Sequence, residues 1–275
     1  MQVVEALLYA VALGTLMYGL SRAPTAAGAL WITGGLAALA SFVWLERAKS
    51  SPVLDVGLFA HSRVYACSNL AALINYSATF GVGFLLSLYL QHVRHLGPQA
   101  AGLVLVAQPV VMTAVSPAAG RLSDRVESRV VASAGMALTA LGLALLAAVS
   151  ERTPLEYIVG CLALLGVGFG LFSSPNTNAV MGAVEPTHYG AAAATLGTMR
   201  LVGQMLSMAV ATLVIARVVG SVSVTGAQPD ALVRATRLTL GVFAALCGGG
   251  VIASLARGTG RAAPTPYGPT RRNRV

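Results

Sequence analysis

The sequence predicts an all-α integral membrane protein with about eight transmembrane helices. Of its 275 residues, 56% are hydrophobic and only 10% are charged, whereas a soluble domain carries about 25% charged residues. The apolar residues form long runs, and a helix of about 20 residues is enough to cross a bilayer. Thirty glycines are distributed along the chain, and small residues allow membrane helices to approach one another closely.

The apolar runs predict helices in order along the chain, with a polar break after each. These helices cover residues 3–21, 28–45, 64–90, 99–118, 130–149, 156–178, 190–217 and 236–257. Pro24, Gly97-Pro98 and Pro154 stand in the breaks, and both residue types interrupt helices. Glu5 stands where a cleaved signal peptide would have basic residues. The first run is therefore predicted to be a spanning helix.

The lengths of the breaks divide the chain into two groups of helices. Residues 1–45 form two helices, and a polar segment at 46–63 separates them from six helices within 64–257. Residues 258–275 are rich in Gly, Pro and Arg, a composition typical of a disordered basic tail at the membrane surface. We predict a helix pair, a cytoplasmic connecting segment, a six-helix bundle and a cytoplasmic tail.

The positions of the basic residues predict the orientation. If Met1 is cytoplasmic, eleven basic residues lie on the inner side and six on the outer side, and Arg200 within a helix completes the 18. Cytoplasmic loops carry the excess of Lys and Arg, so both termini are predicted to be cytoplasmic in a multi-pass protein of the bacterial inner (cell) membrane. The net charge of +9 does not predict nucleic-acid binding, because the arginines form no continuous basic surface.

The apolar segments contain no pattern typical of an enzyme, a metal site or a cofactor site. His92 and His95 have no third ligand nearby. Gly166-Val-Gly-Phe-Gly170 lies within an apolar helix without a preceding strand, so close helix packing explains it better than a nucleotide loop does. Three cysteines stand singly and are predicted to be packing residues: Cys67, Cys161 and Cys247.

The most specific short signal is Gly120-Arg-Leu-Ser-Asp-Arg125, between predicted helices four and five. Glycine permits a tight exit from a helix, and the Asp124 carboxylate can accept hydrogen bonds from the start of the next helix. Arg121 and Arg125 can pair with this carboxylate or with acidic lipid headgroups. An ordinary basic cytoplasmic loop fits the spacing equally well.

An ordered set of segments resembles the major facilitator superfamily, and in particular its fourteen-helix drug:proton antiporters. The run at 120–125 resembles the loop motif of the superfamily, where Glu127 replaces the usual glycine. Ser87 stands where a proline is common in a second segment, Phe84–Gln91. The other similar segments follow in the family's order over most of residues 50–210: Pro52–Phe59, Phe84–Gln91, Pro98–Leu103, Gly166–Gly170 with Pro175, and Gly190–Gly203.

The resemblance implies secondary active efflux of lipophilic or cationic small molecules, coupled to protons, by alternating access. In this family two linker helices join two six-helix bundles, so the chain corresponds to the linker pair and the C-terminal bundle, without the N-terminal bundle. The expected partners are membrane lipids, a small-molecule substrate, a proton, and a second six-helix half or another copy of the chain. The alternative is a non-transporting membrane fragment that acts as an interaction or regulatory module or has no function.

Arg200 is the one charged residue well inside a predicted helix, about 15 Å from the helix start. Such a charge must face protein or water and is a functional candidate, although snorkelling or pairing with carbonyls would also explain it. All nine acidic residues lie at or near breaks. Because proton relays use intramembrane Asp, Glu or His, the proton-binding carboxylate is expected in the other half.

Polar residues within the predicted helices are candidates for a substrate cavity. Asn69, Tyr76 and Thr79 share one face of helix three at 100° per residue, although packing of small residues explains part of that face as well. Amides beside helix-breaking prolines suit a cavity wall. The full candidate set is Asn69, Asn75, Tyr76, Thr79, Gln108, Asn176, Asn178 and Gln204.

Overall fold

The structure is a computed structural model that describes residues 2–22, 25–47, 59, 62–220 and 228–255. These residues form helices and short turns, without a strand in the described ranges. The helices are α1 (Gln2–Ser21), α2 (Ala26–Arg47), α3 (Arg63–Leu88), α4 (Pro98–Leu105), α5 (Ala107–Arg125), α6 (Ser128–Leu146), α7 (Leu155–Gly182), α8 (Tyr189–Val219) and α9 (Pro229–Leu255). A π-helical turn, Tyr89–Val93, extends α3, and a 3₁₀ turn, Pro186–His188, precedes α8.

Each of the eight predicted helices has a helical counterpart. Six described helical stretches are long and apolar enough to cross a membrane: Arg63–Val93, Pro98–Ser123, Ser128–Leu146, Leu155–Gly182, Pro186–Val219 and Pro229–Leu255. The apolar parts of α1 and α2, Leu7–Gly19 and Ala26–Phe42, are shorter, so their crossing of the membrane stays a prediction. The predicted tail (258–275) and most of the predicted connecting segment (46–63) lie outside the described residues.

The predicted fourth helix consists of α4 and α5, which meet at Val106. Pro109 follows three residues later and has no N–H, so the carbonyl of Leu105 lacks its usual helical donor. The interruption therefore has a local cause in the sequence.

Glycines allow α7 to lie directly against both α5 and α6. A Cβ added at Gly166 would come within 2.6 Å of the Gln108 carbonyl oxygen on α5, and one at Gly168 within 2.6 Å of the Thr139 hydroxyl on α6. Side chains in this run would force the three helices apart. The packing role predicted for the glycine run is therefore confirmed.

Helix α3 lies in the centre of the bundle, packed against α7, α8 and α9. A Cβ added at Gly203 of α8 would come within 2.7 Å of the Leu73 carbonyl oxygen on α3. Further along, the backbone N–H of Gly81 donates to Ser207 Oγ at 2.8 Å. These close approaches fix the side chains of α8 against the face of α3.

Helices α1 and α2 pack against each other, and α1 also contacts α8 of the bundle. The contact includes a hydrogen bond of 2.5 Å between the Tyr9 hydroxyl and Thr198 Oγ1. Thr198 Oγ1 donates to the Ala194 carbonyl oxygen at 3.0 Å, so its lone pairs are available to accept from Tyr9. The first helix pair is thereby docked against the bundle two residues from Arg200.

Candidate functional site

Arg200 lies in the middle third of α8, partly buried between α7 and α3. Its Nη2 donates a hydrogen bond of 2.8 Å to Thr177 Oγ1 on α7. The Thr177 hydroxyl in turn donates to the Ser173 carbonyl oxygen at 2.8 Å, which leaves its lone pairs free for the guanidinium. Arg200 therefore connects α8 to α7 through a threonine that is itself oriented by its own helix.

The other side of the guanidinium faces an aromatic pair. The Arg200 Cζ lies 5.6 Å from the centroid of the Tyr76 ring, within the range of a cation–π interaction. Tyr76 contacts Phe169 of α7 edge to face, with ring centroids 5.2 Å apart. Gly203, one turn after Arg200, permits the close approach of α8 to α3 that places the guanidinium over Tyr76.

No carboxylate neutralises Arg200 within the part of the chain that the structure describes. The one ion pair there joins Arg129 Nε and Glu127 Oε1, at 3.0 Å. The acidic side chains described are all exposed and lie at or beside helix ends: Glu127, Glu151, Glu156, Glu185 and Asp230. The Nε of Arg200 is buried and has no hydrogen-bond partner among the described residues. The guanidinium thus keeps a free donor and an unneutralised charge within an apolar span.

The predicted polar face of α3 separates into two environments. Tyr76 belongs to the Arg200 cluster (Arg200, Thr177, Tyr76 and Phe169), whereas Asn75 points towards α9. Its Oδ1 lies 3.9 Å from Cys247 Sγ, and the Cys247 thiol has a closer acceptor in the Met136 carbonyl oxygen, at 3.4 Å. Asn69 and Thr79 are buried and donate to their own helix, at 3.0 and 2.8 Å. Asn69 Oδ1 and Asn75 Nδ2 are buried and have no hydrogen-bond partner in the part of the chain that the structure describes.

The remaining predicted cavity residues lie on three other helices. Asn176 of α7 is buried, whereas Asn178 is exposed and its Nδ2 lies 3.5 Å from Ser123 Oγ, near the end of α5. Gln108 of α5 is partly buried beside Gly166 of α7, where the two helices touch. Gln204 of α8 is partly buried one turn beyond Arg200. Asn178 therefore belongs to the end of the bundle, not to the Arg200 cluster.

The run at Gly120–Arg125 is helical, which corrects the prediction that it forms a loop after residue 118. Helix α5 continues to Arg125, and the chain turns only at Val126 and Glu127. Gly120 therefore does not provide the exit from the helix. The Ser123 hydroxyl donates a hydrogen bond of 2.8 Å to the Gly120 carbonyl oxygen. Arg121 and Arg125 are exposed on this last turn. The Asp124 side chain lies outside the described ones, so its predicted hydrogen bonds stay a prediction.

The sequence did not single out Thr177 or Phe169, the two α7 members of the Arg200 cluster. Thr177 stands between Asn176 and Asn178, and the amides drew attention because they have more hydrogen-bonding groups. The signal that would have selected Thr177 is its position on the face of α7 that meets α8. That face becomes known only once the helices are packed.

These helices and the partly buried guanidinium within them define a polytopic helical membrane protein. The sequence profile of the Major Facilitator Superfamily matches residues 69–274. The chain therefore belongs to the Major Facilitator Superfamily, a family of membrane transporters. The resemblance of the sequence to its drug:proton antiporter branch is supported by relatives that are named as drug-resistance and export proteins.

Three curated relatives illustrate the likeness. The riboflavin transporter RibZ of Clostridioides difficile is 31% identical over 60% of this chain and 37% of its own length. The multidrug resistance protein Stp of Mycobacterium tuberculosis is 32% identical over 74% of this chain and 38% of its own length. The methyl viologen resistance protein SmvA of Salmonella typhimurium is 31% identical over 78% of this chain and 44% of its own length. The chain thus spans less than half the length of these relatives.

Proposed function

We propose that the six-helix bundle forms one half of a secondary transporter that exports lipophilic or cationic small molecules, coupled to protons, by alternating access. Relatives named for riboflavin transport, multidrug resistance and methyl viologen resistance support small organic molecules as the substrate class. Residues 1–45 serve as the linker helices and 64–257 as the bundle, and Gly120–Arg125 acts as a conformational switch at the cytoplasmic end.

The observation that carries the proposal is the state of Arg200. A charge at the centre of a membrane helix is costly and must face protein or water. Thr177 and Tyr76 contact part of the guanidinium, no described carboxylate neutralises it, and the side chain is partly exposed. We infer that the exposed part of this side chain faces the pathway between two halves, where water and a second bundle complete its surroundings. The carboxylate that carries the proton then belongs to the second half, in the same polypeptide or in another chain.

Substitution of Arg200 tests this role in the complete transporter. In proteoliposomes that contain the bundle and its second half, ethidium efflux is measured under an imposed pH gradient. Arg200→Leu is expected to lower efflux about tenfold or more, as for the loss of a hydrogen bond to a charged group. Arg200→Lys keeps the charge but loses the planar donor geometry, so it is expected to retain part of the activity.

Arg217→Leu provides the matched control, because Arg217 lies exposed in the last turn of the same helix. It is expected to transport like the unmodified protein. Equal efflux by the Arg200→Leu and Arg217→Leu variants would contradict the placement of Arg200 in the pathway.

The 275-residue chain alone is expected to move no dye, since alternating access requires two halves that rock around a site between them. Efflux by the chain alone would contradict the half-transporter proposal.

Cysteine labelling tests the proposed orientation in the cell membrane. In a variant without Cys67, Cys161 and Cys247, a single cysteine at position 49 or 125 should resist an impermeant thiol reagent added outside intact cells. A single cysteine at Arg94, on the opposite side of the membrane, should be labelled. The reverse pattern would place both termini outside.

A further inference from the structure

A charged cleft lies at the end of the bundle opposite to Gly120–Arg125. It has a volume of about 590 Å³ and opens between the connection that joins α6 to α7 and the start of α9. Its lining residues come from these two places: Ser150, Glu151, Arg152, Gln228, Asp230, Val233, Arg234 and Arg237. It is separate from the Arg200 cluster in the membrane interior.

One wall of the cleft is held in a defined shape by side chains that bind its carbonyl groups. Arg94 Nη1 donates to the carbonyl oxygens of Glu151 and Thr153, at 3.0 and 2.6 Å. The Tyr89 hydroxyl donates to the Ser150 carbonyl oxygen at 2.6 Å, and Arg237 Nε to that of Ala147 at 3.2 Å. Four carbonyl oxygens after the end of α6 are thus satisfied, so the connection presents a preformed surface.

The charged groups that line the cleft are not neutralised by one another. Arg152 and Arg234 are exposed and form no hydrogen bond or ion pair within the described residues. Arg237 uses Nε for the wall, and its two terminal nitrogens have no partner among the described residues. Glu151 and Asp230 line the same cleft, and neither lies within 4.0 Å of a guanidinium nitrogen. Three guanidiniums against two carboxylates leave a net positive charge, with planar donors that suit a phosphate.

An exposed apolar stripe leads from the cleft along α9. Leu238, Val242 and Leu246 are 56%, 43% and 43% exposed. With Arg234 they follow at intervals of four residues, so they form a continuous ridge that turns by about 120° around the helix. The adjacent helix α6 exposes Leu141 and Leu145 as well. The charged cleft and the apolar stripe therefore form one continuous surface, with the guanidinium of Arg234 at its polar end.

We propose that this surface binds one phospholipid. The guanidiniums of Arg152, Arg234 and Arg237 receive the phosphate, and the acyl chains lie along Leu238, Val242 and Leu246. Arg234 is the sixth residue of α9, about 8 Å along the helix axis from Pro229, a depth at which a headgroup meets the acyl region. A soluble phosphate would match the cleft but would leave the stripe unused.

Binding is measured on the purified full chain by native mass spectrometry with three probes. Phosphatidylglycerol is expected to bind, diacylglycerol with the same acyl chains lacks the phosphate, and glycerol phosphate lacks the chains. An exposed ion pair strengthens binding by up to about fivefold, so Arg152→Ala with Arg234→Ala should weaken phosphatidylglycerol binding by up to about 25-fold. Both side chains are exposed and form no hydrogen bond or ion pair with the described residues, so the double variant is expected to fold.

Arg217→Ala is the matched control, because it removes an exposed arginine at the same end of the bundle but outside the cleft. It should leave binding nearly unchanged, whereas the single variant Arg234→Ala should weaken it by up to about fivefold. Equal loss from Arg217→Ala and Arg234→Ala would show that the basic surface, not the cleft, attracts lipid, and would overturn the proposal. Binding of glycerol phosphate as tightly as phosphatidylglycerol would identify a soluble-anion site and would overturn the lipid assignment.

Discussion

Two neighbouring spans show how differently apolar helices can be used in one bundle. In the most apolar window of 18 residues, 56% of the residues are buried in the span Arg63–Val93, but only 6% in the span Pro98–Ser123. The two windows have nearly the same mean hydropathy. Lipid chains are as apolar as leucine, so hydropathy marks both spans for the membrane but does not tell which one forms the core. That difference depends on close packing at particular side chains.

The largest expected effect concerns two glycines, one in packed and one in open surroundings. Gly203→Leu places a side chain against the backbone of α3, where a Cβ would already lie 2.7 Å from the Leu73 carbonyl oxygen. Backbone atoms cannot move aside cheaply, so the free energy of unfolding should fall by about 3 kcal/mol. Gly102 has no atom within 4 Å of an added Cβ, and Gly102→Leu should not destabilise the protein. Both variants are measured by unfolding in mixed micelles, and equal midpoints would contradict the packing described for α8.

A smaller difference is expected between two leucines. Leu86 of α3 is fully buried, whereas Leu103 of α4 is 70% exposed. Leu86→Ala leaves a cavity and should lower the free energy of unfolding by about 2 kcal/mol, at the low end of core values because lipid is an equally apolar reference. Leu103→Ala should change it little in the same titration. If the Leu103 variant lost as much stability as the Leu86 variant, the assignment of α3 as the core helix would be wrong.

The smallest expected effect is at the hydroxyl that binds Arg200. Thr177→Val keeps the shape of the side chain but removes the acceptor of the 2.8 Å hydrogen bond. A side-chain hydrogen bond between membrane helices contributes about 1 kcal/mol, and this amount is the expected loss. Thr113→Val removes an exposed hydroxyl that bonds only its own helix. A double-mutant cycle with Arg200→Leu should show coupling for Thr177 and none for Thr113, and coupling near zero for Thr177 would contradict the contact.

The sequence predicted the helices because their signals are local. Runs of apolar residues and the prolines between them place most spans to within a few residues. However, α9 begins seven residues before its predicted start, and near Gly120 α5 continues for seven residues beyond its predicted end. Helix propensity explains that error in part, since Arg121, Leu122 and Arg125 all favour helix. A break in hydropathy marks where a helix leaves the apolar region, not where its hydrogen bonds end.

The candidate site could be predicted only in part. Arg200 was found because a charge inside an apolar run is conspicuous. Asn75 was included with Tyr76 among the cavity candidates, yet it faces α9, because neighbouring positions on a helix differ by 100° and meet different partners. Thr177 and Phe169 were missed because an apolar or hydroxyl-bearing residue in a membrane helix has no distinctive signal until its neighbours are known. The charged cleft joins residues 150–152 to residues 228–237, and no local pattern connects those segments.

The hydrogen bond between Tyr9 and Thr198 has a consequence for biosynthesis. The two residues are 189 positions apart, so at about 5–20 residues per second roughly 10–40 s pass between their emergence from the ribosome. During that interval α1 can pair with α2, but the Tyr9 hydroxyl has no Thr198 to bind. The contact between α1 and α8 can therefore form only late in synthesis, after most helices of the bundle have been made.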